Sequence, residues 1–405
     1  MTVLLPEADA TVLARRAEIV AVLRRLVSAD AVIDDVARMR PYESDALTAY
    51  RQLPLVVVLP ETTMQVAAVL RWCHENGVRV VPRGAGTSLS GGALPLGDAV
   101  LLVLSKFSRI LEIDIEDRLA VVQSGVANLA ISAAAEPHGL YYAPDPSSQI
   151  ACSIGGNVAE NSGGVHCLKY GLTTHNVLGV RLVTMEGEIV DLGGRAFDSS
   201  GLDLLGVVVG SEGLLGVVTE VTVRLLPKPE SVRALLIGFP TVDDAARCVA
   251  DVIAGGIIPA GMEMMDRPAI HAAEAFVQAG YPLDAEALLI VEVDGPPAEC
   301  DHLVAEIEQL AMRNAAESCR SSSSEAERLR FWAGRKAAFP AVSRIAPDYY
   351  CMDGTIPRRH LGRVLNAIQD MEKQFNMRCA NVFHAGDGNL HPLILFDSNF
   401  PDEVR

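Results

Sequence analysis

The stretch VRVVPRGAGTSLSGGALPLG, residues 78–97, constrains this chain more than any other part of it. An apolar run, Val78 to Val81, ends in Pro82-Arg83-Gly84-Ala85-Gly86-Thr87-Ser88, with Gly91-Gly92 just beyond. Glycines tolerate positive φ and carry no Cβ to block a ligand, so such a loop can turn its backbone N–H groups outward. With the Thr87, Ser88 and Ser90 hydroxyls, these donors make a cradle for a diphosphate. Arg83 faces either solvent or that diphosphate. The loop is not the fingerprint of a Rossmann unit. Gly84 and Gly86 match G-x-G, but the third glycine would fall at Leu89, and Pro95 follows where a helix should run.

Around this loop the pattern is that of an α/β chain with room for two cores, given 405 residues of which 50% are hydrophobic. LPLVVVLP (53–60) reads as a short strand, and TTMQVAAVLRWCHENG (62–77) as a helix capped by Thr62 or Thr63 and ended by Gly77. VRVVP then begins a second strand, which delivers the glycine loop at a strand's carboxyl end, where α/β sheets hold their ligands. Before it, residues 10–38 have helical periodicity and belong to an N-terminal helical region, 1–52. After it, strands dominate: 99–104, 110–117, 119–125, 177–193 with a turn at Met185–Glu188, and 216–226. Pro227 and Pro229 mark a boundary, giving domains 1–226 and 227–405. The second alternates strand 232–239, helix 242–254, strand 257–264, helix 267–279, strand 287–295 and helix 298–318. That pattern predicts an α+β domain whose sheet is covered on one side by helices. SSSS (321–324) is a loop.

Composition narrows the classes. A net charge of −17 argues against nucleic acid or an anionic membrane surface as a direct partner. No run of about 18 apolar residues is present, so direct membrane insertion is not expected. Eight cysteines without C-x-x-C or zinc-like pairing read as reduced thiols, and with no signal-peptide layout the expected location is cytoplasmic.

A second chemical feature lies near the C-terminus, in NVFHAGDGNLHPLILF (381–396). Asp387-Gly388 suits a two-residue type I′ turn between two apolar runs. Counting outward pairs Gly386 with Asn389, Ala385 with Leu390, and His384 with His391. The two imidazoles would then lie directly opposite on one face, with Cβ atoms roughly 5 Å apart. Such a pair suits either a divalent metal such as Zn²⁺, Mn²⁺ or Fe²⁺, with further ligands from elsewhere, or ordinary hydrogen bonding.

Two further small-residue segments, SSQIACSIGGNVAENSGGVHCLKYG (147–171) and GSEGLLGVVTEVTVRL (210–225), follow the glycine loop in order. Together the three resemble the flavin-binding domain of vanillyl-alcohol-oxidase-type FAD oxidoreductases. Within that class the chain is similar to the branch of glycolate oxidase FAD subunits and D-lactate and D-2-hydroxyglutarate dehydrogenases. The resemblance runs from about residue 40 to the C-terminus. It implies an α+β fold: a two-subdomain FAD-binding domain followed by an α+β substrate (cap) domain with a mainly antiparallel sheet. It places Pro82, Arg83, Gly84, Ala85, Gly86, Thr87, Ser88, Gly91 and Gly92 at the cofactor. Pro144, Ser147, Ser153, Gly155, Gly156, Asn157, Asn161 and Gly163 fall in the FAD-lining segment. Glu212, Gly213, Val217 and Val218 match the part that approaches the rings. Where some relatives carry a flavin-linking histidine, this chain has Thr87-Ser88, so FAD is expected to be noncovalent.

The same resemblance implies that His384 and His391 are metal ligands and that Asn389 lies beside the substrate. Arg335, in FWAGRKAAFPAVS (331–343), matches the arginine that grips the substrate carboxylate. Relatives acting on hydroxy diacids place a lysine near Cys351, so a monocarboxylate 2-hydroxy acid, glycolate first, is the implied substrate. The α-hydroxyl proton would be removed by His391 or a metal-bound hydroxide, and the α-hydrogen would pass to FAD as hydride. A later G-E-H-G segment of the family is not found before Arg405, from which C-terminal truncation is expected. Partner subunits, including an electron-accepting iron–sulfur subunit, are also implied, and through them a membrane association.

Overall fold

In the computed structural model, which describes residues 5–48, 50–197, 201–400 and 403, the chain forms two compact units. One runs to Gly163 and resumes from Gly171 to Lys228; the other takes Gly164–Tyr170 and everything from Pro229 onward. The boundary after Lys228 lies within the expected proline pair. The segment Gly164–Tyr170, assigned by sequence to the first domain, instead joins the second unit.

The first unit contains two main sheets. A four-stranded sheet runs in the order Val32–Ile33, Val56–Val58, Ala99–Val103, Arg79–Arg83. Val56–Val58 and Arg79–Arg83 both pair in parallel with Ala99–Val103, which lies between them. The crossover helix Thr63–Glu75 forms where expected: the Thr62 side chain accepts from the Gln65 N–H, and Gly77 at φ +65° turns the chain out. Val66, Val69, Leu70 and Cys73 on its inner face share a core with Ile19 and Leu23 of helix Arg16–Leu26. The N-terminal periodicity is interrupted, however. It yields Ala10–Ala14 and Arg16–Leu26, after which the β-branched pair Val32–Ile33 joins the sheet edge.

The second sheet is antiparallel, in the order Ile110–Asp114, Leu119–Gln123, Val217–Arg224, Val177–Val183, Ile189–Gly193. Gly187 at φ +76° closes the 177–193 hairpin, with the Glu188 carbonyl accepting from the Thr184 N–H.

The other unit is built on an antiparallel sheet in the order Ser318–Ser321, Ser231–Phe239, Ala287–Gly295, Gly261–Asp266, Arg378–His384. It then forks. Asn389–Leu390 with Gly354–Thr355 continues from one end of Arg378–His384, and Pro392–Phe396 with Asp348–Cys351 from the other. The expected one-sided cover is wrong. Leu235, Ile237 and Phe239 enter a core with helices Val242–Ala254, Pro297–Arg313 and Leu361–Phe375. Ala234 and Leu236 enter another with helices Arg267–Val277 and Glu325–Val342. Strands apolar at both parities, such as Ala287–Gly295, need cover on both faces. SSSS is likewise only partly loop: Ser321 ends a strand and Ser324 caps helix Glu325–Val342.

Candidate functional site

In the first unit the three small-residue segments meet. A Cβ on Gly84 would lie 2.1 Å from Ser153 Oγ, one on Gly92 2.7 Å from Glu160 Oε1, and one on Gly213 2.8 Å from Pro82 Cγ. The Glu212 N–H donates to the Ala159 carbonyl and that of Gly210 to Val158, both at 2.8 Å. Backbone is therefore packed where side chains would intrude, the condition for close approach of a flat, phosphorylated ligand. Gly86 adopts φ +72° and Gly91 φ +80°. Ser153 caps the short helix Ile154–Glu160 through the Gly156 N–H, and Asn161 ends it in the left-handed region at φ +48°. Gly155 sits against Ser124, leaving no room for a side chain. Ser124 Oγ and Asn157 Nδ2 are buried with no hydrogen-bond partner in the protein, as expected beside a polar ligand.

Other expected positions spread around this core. Thr87 and Ser88 are half-buried, Ala85 and Ser147 exposed, and Val217 and Val218 begin the strand that follows the Gly213 turn. The Pro144 carbonyl accepts from Asn128 Nδ2, and Gly163 is the last residue before the chain leaves this unit. Arg83 differs from its phosphate-facing reading. Its guanidinium is buried under Gly86 and donates to the Ser44 and Ala93 carbonyls at 2.9 and 3.1 Å. It braces the loop from beneath.

The second unit holds a buried ionic cluster. Glu263 lies mid-strand in Gly261–Asp266, opposite His384. Its Oε1 is 2.6 Å from His384 Nδ1, and its Oε2 accepts from Arg335 Nε at 2.8 Å and lies 2.7 Å from Nη2 in an ion pair. Arg335 is 2% exposed, not a solvated helix arginine. Burial opposes ionisation of Glu263, but its two cationic neighbours outweigh this and hold its pKa below the ordinary value. Burial likewise presses His384 towards neutrality, yet the Glu263 charge raises its pKa.

The hairpin forms with a different turn. His384 pairs with Asn389, so the turn has four residues, Ala385–Gly388, rather than two. His391 is consequently a diagonal neighbour of His384. A pairing displaced by two residues keeps both on one face. Their rings meet edge-on with centroids 5.1 Å apart. Burial first, then the charges of His384 and Arg335, push His391 down to about 3, so it is neutral. Its Nδ1 is buried without a partner, and Nε2 lies 3.6 Å from Asp353 Oδ1. Asn389 Oδ1 is also buried and unpartnered.

These two imidazoles fit a metal in part. The Glu263–His384 contact is a carboxylate–histidine support, and His391 Nδ1 is an unused donor. Among the described residues, no group of three or more His, Cys, Asp or Glu could hold a metal ion.

Sequence reasoning missed Glu263. A glutamate inside the apolar strand GMEMMD was the available signal. It also missed a neighbouring network on the same sheet face. Glu292 there accepts from Arg328 Nη1 at 2.8 Å and Trp332 Nε1 at 2.5 Å, and meets His166 Nε2 at 2.9 Å. Arg328, Trp332 and Arg335 are spaced four and three apart, which puts them on one side of helix Glu325–Val342.

Comparison with known proteins agrees with both units. The FAD binding domain family matches residues 54–193, and the C-terminal domain of FAD linked oxidases matches residues 228–405. The chain is 56% identical over 399 residues to glycolate oxidase subunit GlcD of Escherichia coli (strain K12), covering 98% of this chain and 79% of that one. It is 39% identical to the GlcD subunit of Bacillus subtilis (strain 168), covering 90% and 78%. It is 32% identical to a D-lactate dehydrogenase of Anaerostipes hadrus, covering 91% and 78%. Among solved structures, 4-ethylphenol oxidase from Gulosibacter chungangensis superposes with a TM-score of 0.80 at 17% identity, over 99% of this chain and 86% of that one. The likeness to that structure concerns the fold alone.

The chain thus belongs to the FAD-linked oxidases, with a vanillyl-alcohol-oxidase-type fold. It is an FAD-dependent oxidoreductase of the group that contains the glycolate oxidase subunits.

Proposed function

We propose that this chain is the flavin-bearing subunit of an enzyme that oxidises glycolate to glyoxylate. The observation that carries the reading is the buried Arg335–Glu263–His384 network beside the unpaired Nδ1 of His391. Arg335 gives Glu263 its Nε edge, and its end-on pair of Nη N–H groups is the fork that would grip a carboxylate. His384 and His391 would hold a divalent cation, Zn²⁺, Mn²⁺ or Fe²⁺. When bound, that ion lowers the pKa of an α-hydroxyl. The three small-residue segments would hold FAD, which would supply the acceptor for the α-hydrogen as hydride. Asn389, with a buried acceptor, would orient the substrate, and His391 is kept neutral either to ligate or to accept the hydroxyl proton.

A monocarboxylate suits the site. Cys351 is a half-buried thiol whose pKa burial pushes up to about 12, so it supplies no cation. Arg344 is engaged with the Ala275 carbonyl and the Phe276 ring. The relatives named as subunits support an assembly with partner subunits; an electron-accepting iron–sulfur subunit among them is part of this proposal. We place the protein in the cytoplasm, attached to membranes only through such partners. Among the described residues, no helix is long and apolar enough to cross a bilayer.

Anaerobic mixing of the purified flavoprotein with glycolate should bleach the visible flavin absorbance. D-lactate should do so more slowly, since its methyl group needs extra room. A spectrum unchanged by every 2-hydroxy acid would overturn the reading, and faster bleaching by D-lactate would transfer it to that substrate.

A further inference from the structure

We propose that Tyr281 is a positioning residue for Arg335, its hydroxyl entering helix Glu325–Val342 beside the arginine and fixing where the guanidinium stands. The proposal rests on the reading of Arg335 as the group that grips the substrate carboxylate. Tyr281 is 5% exposed and lies in the apolar layer with Phe331, Trp332 and Ala338. A buried phenol needs a partner for its hydroxyl, a demand that phenylalanine would not make. The partner is helix backbone: the Tyr281 hydroxyl donates to the Phe331 carbonyl at 2.5 Å. In an α-helix that carbonyl faces the N–H four residues on, which is that of Arg335. Burial pushes the Tyr281 hydroxyl up, while a hydrogen bond from the Arg335 backbone and the charge of that residue act against it. The phenol oxygen therefore sits at the two backbone groups that close the helical turn ending at Arg335.

The helix is shaped to admit it. Gly334 stands next to Arg335, and a Cβ there would lie 2.3 Å from the Tyr281 hydroxyl oxygen and 2.4 Å from two ring carbons. Glycine in a helix interior is unfavourable relative to alanine, so this turn is soft at the position where placement counts. A side chain that enters the hydrogen-bond ladder sets the local course of a helix. Tyr281 is itself held, because Glu274 Oε2 accepts from the Gly280 and Tyr281 N–H groups at 2.9 and 3.0 Å. Arg335 in turn is 2% exposed and gives its Nε to Glu263 Oε2. A guanidinium at the end of a long side chain magnifies a small backbone displacement, and misplacement by about 1 Å can cost on the order of a hundredfold in rate.

Tyr281→Phe keeps the ring and removes the bridge. The experiment compares parent, Tyr281→Phe, Arg335→Lys and the double variant, all FAD-loaded, for flavin content and for KM and kcat with glycolate. Tyr281→Phe should keep its flavin, raise KM about three- to tenfold and change kcat by less than about twofold, since a displaced grip weakens binding more than transfer. In the Arg335→Lys background the same substitution should change KM by less than about twofold, because the fork that Tyr281 places is gone. Parent-like KM in FAD-replete Tyr281→Phe would overturn the proposal. So would an equal rise in both backgrounds, the result that a general loss of packing gives.

Gly334→Ala supplies a second route if Tyr281→Phe does not fold. Alanine is the better helix former, yet its methyl would displace the phenol, so KM for glycolate should rise as in Tyr281→Phe. A parent-like KM there also overturns the proposal. Should the parent reduce its flavin with no 2-hydroxy acid, the activity falls, and urea unfolding still decides the role of Tyr281. Midpoint shifts for Tyr281→Phe and Arg335→Lys that are less than additive in the double variant uphold it, because the ion pair of Arg335 with Glu263 then depends on the bridge. Additive shifts overturn it.

Discussion

At Gly86 a side chain fails twice. The residue holds φ +72°, and a Cβ would lie 2.2 Å from the Arg83 guanidinium that braces the loop. The strain alone costs about 1–3 kcal/mol. Gly86→Val should therefore weaken FAD binding on the order of tenfold to a hundredfold and leave the second unit folded. Flavin content after gel filtration checks this, and parent-like content would remove the loop from the cofactor site. Arg335→Lys keeps a charge near Glu263 but loses the fork. It should raise KM for glycolate and lower kcat with the flavin spectrum intact; an unaltered kcat/KM returns Arg335 to a structural part. Arg335 and both histidines stood out in the sequence because each belongs to a motif carrying a distinctive group, and the fold gathers them into one buried cluster. Glu263 was not, since nothing in a single strand tells which distant cations it will face. Arg83 was misjudged for a related reason: its burial depends on the Ser44 and Ala93 carbonyls, which local sequence does not position.

The hairpin shows the same limit one level up. Asp387-Gly388 is a strong local turn signal, yet the turn is set from outside by residues 354–358. Gly354 and Thr355 pair with Leu390 and Asn389, the Ile356 N–H donates to the Gly388 carbonyl, and Arg358 Nη1 donates to the Gly386 carbonyl at 2.9 Å. The four-residue turn that results still brings the histidines together, because the change in register was even. Helix Thr63–Glu75 needed no such help; its cap, Thr62, and its stop, Gly77, flank it directly in sequence. Gly388 is the weak point of the turn, at φ +81° with a Cβ position 2.2 Å from the Ile356 carbonyl oxygen. Gly388→Ala should destabilise the second unit by about 1–3 kcal/mol and reduce Zn²⁺ affinity, with FAD content unchanged. A chelator titration with a parent-like constant would show that the turn does not govern the histidine pair.

Across the whole molecule, the two-unit division was readable from Pro227 and Pro229, but the transfer of Gly164–Tyr170 was not, because its anchors are far along the chain. His166 meets Glu292, while Lys169 and Tyr170 bond Asp294. Burial opposes the charge on Glu292, but His166 and Arg328 outweigh it and hold its pKa at about 2, below the ordinary 4.5. A depressed carboxyl pKa contributes stability above its unfolded value and loses it as pH falls towards the folded one. Glu292 should supply about 3 kcal/mol that disappears between roughly pH 4.5 and 2. Glu292→Gln should lower the melting temperature at neutral pH and flatten its fall across that acid window. Parallel pH profiles for variant and parent would refute the assignment. The anchoring also has a consequence during synthesis. His166 leaves the ribosome 126 residues ahead of Glu292, an interval of about 6–25 s at ordinary elongation rates. For that time the nascent flavin-binding unit carries a loop whose partners do not yet exist, so translation stalled within the interval leaves Lys169 and Tyr170 without Asp294 and the loop open to proteases and chaperones.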